Sequence, residues 1–429
     1  MKIKQIVKHY MPTGLWKKIH NARAYMEVQW HRRNYAKVIK RLRKKKEPLN
    51  VLFMTIYDSN WKYDSVYQLM LKDPRFNPII LVCPDVYRGK EHMLEIMNKC
   101  CRAFKKKGYT FVRTYDEETD SYIDAHAYNP DIIFYTNPYK EVNADRYYYD
   151  EFKDSLTCYV NYGYINVHFE WAVNLPFHQR VWRYYVECED NRKLIKQYSI
   201  ISASNVRVVG YPMFDAIMKG SQSGRDWKIQ DTKHKRIIWS PHHSISNSCE
   251  DIRLSTFELY CDFMLNMAKK YKDQVQFVFK PHPLLKEALY RLEGWGKKRT
   301  DAYYKTWADG ENTTIAEGEY VDLFNSSDAM INDSASFTFE YLYERKPCLF
   351  LCNYDRQKDS NVAALKAFDS WYHATTETEI EHFIKDVVID GNDTMLSKRE
   401  VFYKEVLLPP NECSVAENII NEICTSILK

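Results

Sequence analysis

No run of about 18 apolar residues occurs in the 429-residue sequence, so no segment is expected to span a bilayer. The N-terminus lacks the apolar stretch and small-residue cleavage site of a secretory signal, so the protein is expected to stay in the cytoplasm. Eleven cysteines are present, yet none forms a Cys-x-x-Cys pair or a zinc-ligand spacing. An odd number without a framework fits free thiols in a reducing compartment. Cys348 and Cys352 flank an apolar run and read as core rather than as ligands. Asp322, Asp328 and Asp333 form no compact Asp-x-Asp, which argues against an obligatory metal–nucleotide clamp; no metal and no cofactor are expected. Internal repeats and low-complexity segments are absent as well.

A basic body is also missing. The formal net charge is +5, but residues 1–46 hold 15 of the 62 Lys and Arg and 1 of the 57 Asp and Glu. The remainder is acidic, with 47 basic against 56 acidic residues, which excludes nucleic-acid binding by charge. Within residues 1–46, Ile3, Ile6, Val7 and Tyr10 follow helical spacing beside Lys2, Lys4 and Lys8. Pro12 and Gly14 break that pattern, and a second helix is expected over Leu15 to Lys46. A basic amphipathic helix carrying Trp and Tyr suits an anionic membrane surface, where each Lys or Arg contributes about 1 kcal/mol. The plainer reading is a solvated basic helix packed on the body.

What is there is a long chain, 45% apolar, able to bury a large core and expected to divide into two domains. After Pro48, a buried-type strand (Asn50 to Ile56) opens an alternation with strands at 78–82, 110–113, 131–135, 156–159 and 206–209. Helices are expected near 66–71, 91–106, 122–127 and 168–187. Residues 217–235 are polar, lack periodicity and read as a linker. A second alternation comes next, with strands at 236–239, 275–279, 314–315, 329–331 and 348–351, interleaved with helices. Strands alternating with helices read as parallel, doubly wound sheets. The fold class expected is α/β of GT-B type: two Rossmann-like domains facing a cleft, with a basic helical N-terminal extension. The boundaries are 1–47 for the extension, 48–216 for an acceptor-side domain, 217–235 for the linker, 236–410 for a donor-binding domain and 411–429 for a C-terminal helix.

Chemistry concentrates between Phe279 and Glu340. The strand ending at Phe279 meets Lys280-Pro-His-Pro283, and neither proline can donate to a sheet ladder. His282 is therefore presented on a stiff loop at a strand end, with Lys280 as a nearby cation, and is the first catalytic candidate. Downstream, Ala329 to Ile331 reads as a strand, followed by Asn332, Asp333 and Ser334 and then a helical pattern. A helix start leaves free N–H groups and a positive dipole end that suit an anion. Ser334 and Ser336 are N-cap candidates whose hydroxyls would also hold diphosphate oxygens, and Glu340, one turn on, would accept hydroxyls of a ribose or polyol. Trp239-Ser-Pro-His-His243 ends another strand at a proline, adding Ser240 and His242 as donor-binding candidates. Adjacent histidines do not easily face one ligand together, so at most one of the pair is expected to touch substrate. A zinc site would need a third ligand near in sequence, and none is seen.

Four patches resemble the CDP-glycerol glycerophosphotransferase (teichoic-acid polymerase and primase) family. Gly210-Tyr-Pro-Met-Phe-Asp215 matches its Gly-Tyr-Pro-x-x-Asp, and Lys280-Pro-His-Pro its histidine loop. Trp239-Ser-Pro-His-His stands at its aromatic-Ala-Pro-Thr loop. Asp322 through Glu340, with Lys346-Pro347, resembles its Asp-x-Leu-x-x-Ser-Asp segment, the Ser-Ser turn after it and a later Lys-Pro. The resemblance implies that His282 and Ser336 bind the donor pyrophosphate, with Asp328 and Asp333 shaping the loop. Two departures stand out. Ala335 replaces the first of two serines, and Asn161-Tyr-Gly-Tyr164 replaces a His-Gly motif, with Tyr162 in the place of the presumed base. A tyrosine of pKa near 10 is a poor base at neutral pH, so His168 or Asp58 is the alternative.

The expected activity is transfer of a polyol phosphate from a CDP-activated donor to a hydroxyl of a glycan or glycolipid, releasing CMP, in capsule or wall-polymer synthesis. The expected location is the inner face of the cell membrane, held by residues 1–46. Alternatives are a glycosyltransferase using a nucleotide sugar and a non-catalytic scaffold in a polymer-synthesis complex.

Overall fold

The computed structural model describes residues 13–220, 223–245, 254–352 and 356–427, excepting the side chains of 13–18, 20, 335, 336 and 356. The helical pattern at Ile3 to Tyr10 lies outside the described residues. The chain forms two compact units: the first combines residues 1–212 with 409–429, and the second is residues 213–408.

Unit 1 is built on a seven-stranded sheet in which every neighbouring pair is parallel. Its strands are β1 (Leu49–Thr55), β2 (Phe76–Val82), β3 (Phe111–Arg113), β4 (Ile132–Tyr135), β5 (Leu156–Val160), β6 (Arg183–Val186) and β7 (Val206–Val208). Their order is β3-β2-β1-β4-β5-β6-β7. A parallel sheet covered on both faces demands near-continuous apolar strands, and β1 complies: Val51, Leu52 and Phe53 are fully buried. The strand order reverses between β1 and β4, where loops leaving the carboxyl ends diverge and ligands characteristically bind.

The stretch expected as a helix over 168–187 is instead two short helices, Glu170–Val173 and Pro176–Arg180, followed by β6. Arg183-Tyr-Tyr-Val186 is aromatic rather than aliphatic, and its pairing with β5 and β7 overrides the weak local signal. The helix expected near 122–127 is a two-residue antiparallel pairing, Tyr115–Asp116 with Ser121–Tyr122, and a 3-10 turn, Ala125–Tyr128.

Within the described residues, the basic extension forms a 30-residue helix, Thr13–Leu42, that belongs to unit 1 rather than standing apart. Val28, Tyr35, Val38 and Leu42 are buried along it. The Tyr35 hydroxyl contacts Thr157 Oγ1 at 2.6 Å and donates to the Arg180 carbonyl at 2.9 Å. Ile19, Tyr25, Met26 and Trp30 stay exposed.

Residues 409–429 likewise complete unit 1 instead of forming a separate tail. The helix Val415–Ile427 packs against the helix Asp64–Lys72, and Glu422 accepts from Arg183 Nε at 2.6 Å and from the Tyr185 hydroxyl at 3.1 Å. Gly210 sits where this return segment passes. Its φ is +96°, and a Cβ there would lie 2.9 Å from Val415 Cγ2, so both conformation and space require glycine.

Unit 2 carries a six-stranded parallel sheet: β8 (Lys235–Ser240), β9 (Val275–Phe279), β10 (Thr313–Ile315), β11 (Ala329–Asn332), β12 (Cys348–Leu351) and β13 (Tyr372–Ala374). The order is β10-β9-β8-β11-β12-β13, reversing between β8 and β11. Residues 217–235 are not a free linker. Their start belongs to the helix Met213–Lys219, and Trp227, 2% exposed, donates from Nε1 to Ser326 Oγ at 2.8 Å. One buried aromatic anchors an otherwise polar segment to unit 2. Cys348 is buried between strands, as its apolar setting predicts.

Candidate active site

The site begins with two strands that end at proline. Trp239 in β8 and Phe279 in β9 are buried with ring centroids 5.0 Å apart, so both strand ends leave a rigid aromatic core. Beyond the strands the pairing continues. Lys280 N donates to the Trp239 carbonyl at 2.8 Å, Ser240 Oγ to the Lys280 carbonyl at 2.7 Å, and His282 N to the Pro241 carbonyl at 3.0 Å. Ser240 is thus a tie between two loops. The prolines end the sheet, and the remaining donors stitch the loops together.

His242 follows β8, His282 follows β9 and Asp333 follows β11, so all three stand at the carboxyl edge where the strand order reverses. Asp333, 1% exposed, joins three segments. It accepts from His242 N at 2.6 Å, from Thr256 N at 2.6 Å and from Thr256 Oγ1 at 3.1 Å. Burial pushes its carboxyl up to about 6, against the pull of these donors. Asp333 therefore builds the site from inside. Asp328 does not share this role: its carboxylate accepts from Arg236 N at 2.8 Å, at the opposite, amino end of β8.

Three imidazoles pack together. Ring centroids are 5.0 Å apart for His242 and His282, 4.1 Å for His243 and His282, and 4.2 Å for His242 and His243. The turn after Pro241 brings both rings of the adjacent pair against His282. The third ligand-type residue that the local sequence lacks arrives from β9, and the ligating atoms of the trio lie within 4.8 Å of one another.

Backbone donors choose the tautomers. Leu284 N donates to His282 Nδ1 at 3.2 Å, and Ser244 N to His242 Nδ1 at 3.2 Å. A neutral imidazole accepting at Nδ1 carries its proton on Nε2. A metal bound through Nε2 would force the proton onto Nδ1, against those backbone N–H groups. Burial, then His243 and Lys280, push His282 down to about 3, and burial lowers His243 as well. Such an imidazole stays neutral at neutral pH.

The other candidates divide. Lys280 is 6% exposed and donates from Nζ to the Gly318 carbonyl at 3.0 Å; burial lowers its pKa, and its charge still reaches His282. Ser334 is the N-cap residue of the helix Ala335–Leu342 by position, but its side chain makes no capping bond. Asn332 does the local work: its Oδ1 accepts from Ser334 N at 3.0 Å and from Thr338 Oγ1 at 2.6 Å. Ser336 is in the first turn of that helix, and its side chain lies outside the described residues. Glu340 is 5% exposed and accepts from the Tyr320 hydroxyl, so it is part of the interior under the site.

Tyr162 and His168 belong to unit 1. Tyr162 follows β5 with its hydroxyl 3.4 Å from that of Tyr139, and burial pushes its phenol further above the ordinary value. A phenol held protonated in this way is a poor base at neutral pH. His168 is half-buried against Phe169, and its carbonyl accepts from the Tyr198 hydroxyl at 2.8 Å. Reading the sequence missed His243 and Thr256. The doubled histidine after Pro241 was the available signal for the first; Thr256 carries none.

The chain resembles known proteins along most of its length. A solved structure of the wall teichoic acid polymerase TagF aligns with a TM-score of 0.55 and 13% identity, covering 95% of this chain and 98% of that one. The UDP co-structure of S. aureus MnaA aligns with a TM-score of 0.56 and 12% identity, covering 89% and 98%. UDP-GlcNAc 2-epimerase from Neisseria meningitidis, bound to UDP-GlcNAc, gives 0.53 and 14%, covering 88% and 99%. At such identities the likeness concerns the fold, which is of the GT-B kind. No curated protein matches. The model of the family described as CDP-glycerol:poly(glycerophosphate) glycerophosphotransferase matches residues 178–425, which include every part of the histidine site. On that match the chain belongs to the CDP-glycerol:poly(glycerophosphate) glycerophosphotransferase family and is a transferase of that type.

Proposed function

We propose that the protein moves a polyol phosphate, of glycerol- or ribitol-phosphate type, from a CDP-activated donor to a hydroxyl of a glycan or glycolipid, releasing CMP, in capsule or wall-polymer synthesis. The observation that carries this reading is the pair of imidazoles, His242 and His282, each held through Nδ1 by a backbone N–H at the edge where the second sheet reverses. A diphosphate needs preorganised donors where negative charge grows, and a half-buried, neutral imidazole supplies one without reorganising. Lys280 adds positive potential beneath, and the N-terminus of the helix Ala335–Leu342 adds its dipole. With these groups in place, no metal is assigned to the step.

In this reaction the acceptor oxygen attacks the phosphorus bearing the polyol. The bond from that phosphorus to the bridging oxygen breaks, and CMP leaves with the electron pair. A variant of the TagF polymerase soaked with CDPG shares the fold (TM-score 0.54, 15% identity), which supports the choice of donor. Calorimetry with CDP, UDP and GDP tests it. CDP is expected to bind at least about tenfold more tightly, a difference of about 1.4 kcal/mol. A preference for UDP would replace this reading with that of a nucleotide-sugar glycosyltransferase.

We also propose that the protein works on the cytoplasmic face of the membrane. No helix among the described residues is long and apolar enough to cross it. Support comes from the helix Thr13–Leu42, which leaves Ile19, Tyr25, Met26 and Trp30 exposed among its basic residues. Deleting residues 1–46 is expected to abolish sedimentation with phosphatidylserine vesicles; unchanged sedimentation would reject the idea.

A further inference from the structure

Unit 1 holds a cavity of about 550 Å³ that no residue of the histidine site lines. One wall is the helix Thr13–Leu42, which contributes Arg23, Met26, Glu27, Trp30 and His31. Asp150, in the 3-10 turn Tyr149–Glu151, and Arg180, the last residue of the helix Pro176–Arg180, complete the lining. Helical spacing explains the mixture. Ile19, Arg23, Met26 and Trp30 recur at intervals of three and four and share one face. All four are exposed, so a narrow apolar stripe runs into a charged cavity. That is the footprint of an amphiphile, with tail beside head.

The charges in the cavity fall into two sets. Arg23 Nε donates to Glu27 Oε1 at 3.0 Å, and Arg180 Nη2 donates to Glu27 Oε2. Arg23 is 63% exposed, and an exposed i,i+4 pair contributes only about 0.3–0.5 kcal/mol. Its guanidinium can therefore turn to another anion at little cost. Asp150 is the second set. No lysine or arginine among the described residues forms an ion pair with it, and its nearest base is His31, with Nε2 3.8 Å from Oδ1. Burial pushes that imidazole down to about 4, so it is uncharged at neutral pH. The Asp150 carboxylate is 43% exposed and keeps its charge uncompensated by an ion pair. Trp30 shares the cavity, packed edge-to-face on His31 with centroids 4.9 Å apart. An indole beside a carboxylate attracts a cation through its ring quadrupole.

We propose that this cavity binds the headgroup of a membrane phospholipid that carries a primary ammonium, of the phosphatidylethanolamine kind. The ammonium sits between Asp150 and Trp30, the phosphate takes Arg23, and the acyl chains lie over Ile19 and Met26. This inference deepens the membrane reading given above and rests on it. Two guanidiniums and two carboxylates make the cavity complementary to a zwitterion rather than to a simple anion. A primary ammonium donates hydrogen bonds that a carboxylate accepts, whereas a choline headgroup has the same charge and no N–H to give.

Two probes test the assignment. The first is soluble sn-glycero-3-phosphoethanolamine, followed by NMR on the Trp30 indole N–H, which is identified by its loss in Trp30→Phe. A saturable shift is expected, absent with glycerophosphocholine, and Asp150→Asn is expected to weaken it at least about tenfold. No shift in the wild type, or an equal shift with the choline compound, overturns the proposal. The second probe is a pair of vesicles equal in phosphatidylglycerol, the remainder being phosphatidylethanolamine in one and phosphatidylcholine in the other. The full chain is expected to sediment at least about fivefold more tightly with the first, and Asp150→Asn is expected to remove that difference. A difference that survives in Asp150→Asn comes from bilayer packing and overturns the headgroup site. Sedimentation with neither vesicle rejects the membrane reading and this proposal with it, whereas equal sedimentation with both rejects only the headgroup site.

Discussion

The two parallel sheets share a plan and differ in what they place at its reversal point. In unit 2 the strands β8 and β9 end at prolines, and the edge carries three imidazoles over one buried aspartate. In unit 1 the equivalent edge carries one buried aspartate, one imidazole and a row of tyrosines. In both, a carboxylate is buried at the edge. The difference lies in what each carboxylate holds: Asp333 accepts from His242 N, Thr256 N and Thr256 Oγ1 and fixes the shape of two loops, whereas Asp85 accepts from the Tyr57 hydroxyl and Tyr87 N.

The contrast breaks most visibly at His282. Its replacement by alanine removes an oriented donor from the diphosphate site, and CMP release is expected to fall by about 10²- to 10³-fold with native circular dichroism. A loss smaller than tenfold would mean that unit 2 does not hold the donor phosphates through this ring. Asp333→Ala comes next. It leaves His242 N, Thr256 N and Thr256 Oγ1 without their acceptor inside the protein, for a stability loss of about 2–4 kcal/mol by urea unfolding. Asp333→Asn is expected to lose less, because one carbonyl oxygen remains to accept.

Acid sharpens the contrast further. His282 and His178 are pushed down to about 3 and His31 to about 4, each chiefly by burial. Below about pH 6.5 the unfolded chain takes up protons that these folded histidines refuse. Stability is therefore full above that pH and lost as pH falls toward 3–4, by up to about 1.4 kcal/mol per pH unit for each group. His282→Gln is expected to flatten that slope by close to one proton; an unchanged slope would show that the ring protonates freely in the fold. The smallest effect is expected at Tyr162→Phe, which should keep turnover within about threefold, because a phenol that stays protonated contributes no base. A large loss there would return the acceptor role to Tyr162.

Much of the fold is legible in the sequence alone. Val275–Phe279 and Cys348–Leu351 are aliphatic and aromatic runs of strand length, and they form strands with those bounds. The prolines around His282 mark the end of β9, because a proline acts on its own neighbours. What escapes is non-local. β6 is made by pairing, not by propensity, and β13 (Tyr372–Ala374) has three residues of little apolar character. His243 looks redundant beside His242 until a turn stacks both rings on His282. Tautomers belong to the same class, since the backbone groups Leu284 N and Ser244 N decide them and a sequence advertises neither.

Gly210 and the segment that returns past it have a consequence for the order in which the protein comes into being. Unit 2 is inserted in sequence between Pro212 and Pro409, so about 200 residues must be synthesised after β7 before the helix Val415–Ile427 exists. At roughly 5–20 residues per second this is a wait of about 10–40 s. During it, Arg183 and Tyr185 lack their Glu422 partner and the face of the helix Asp64–Lys72 lacks its cover. Unit 2 has every strand it needs by then. The histidine site is expected to mature on the ribosome ahead of the sheet that precedes it in the chain.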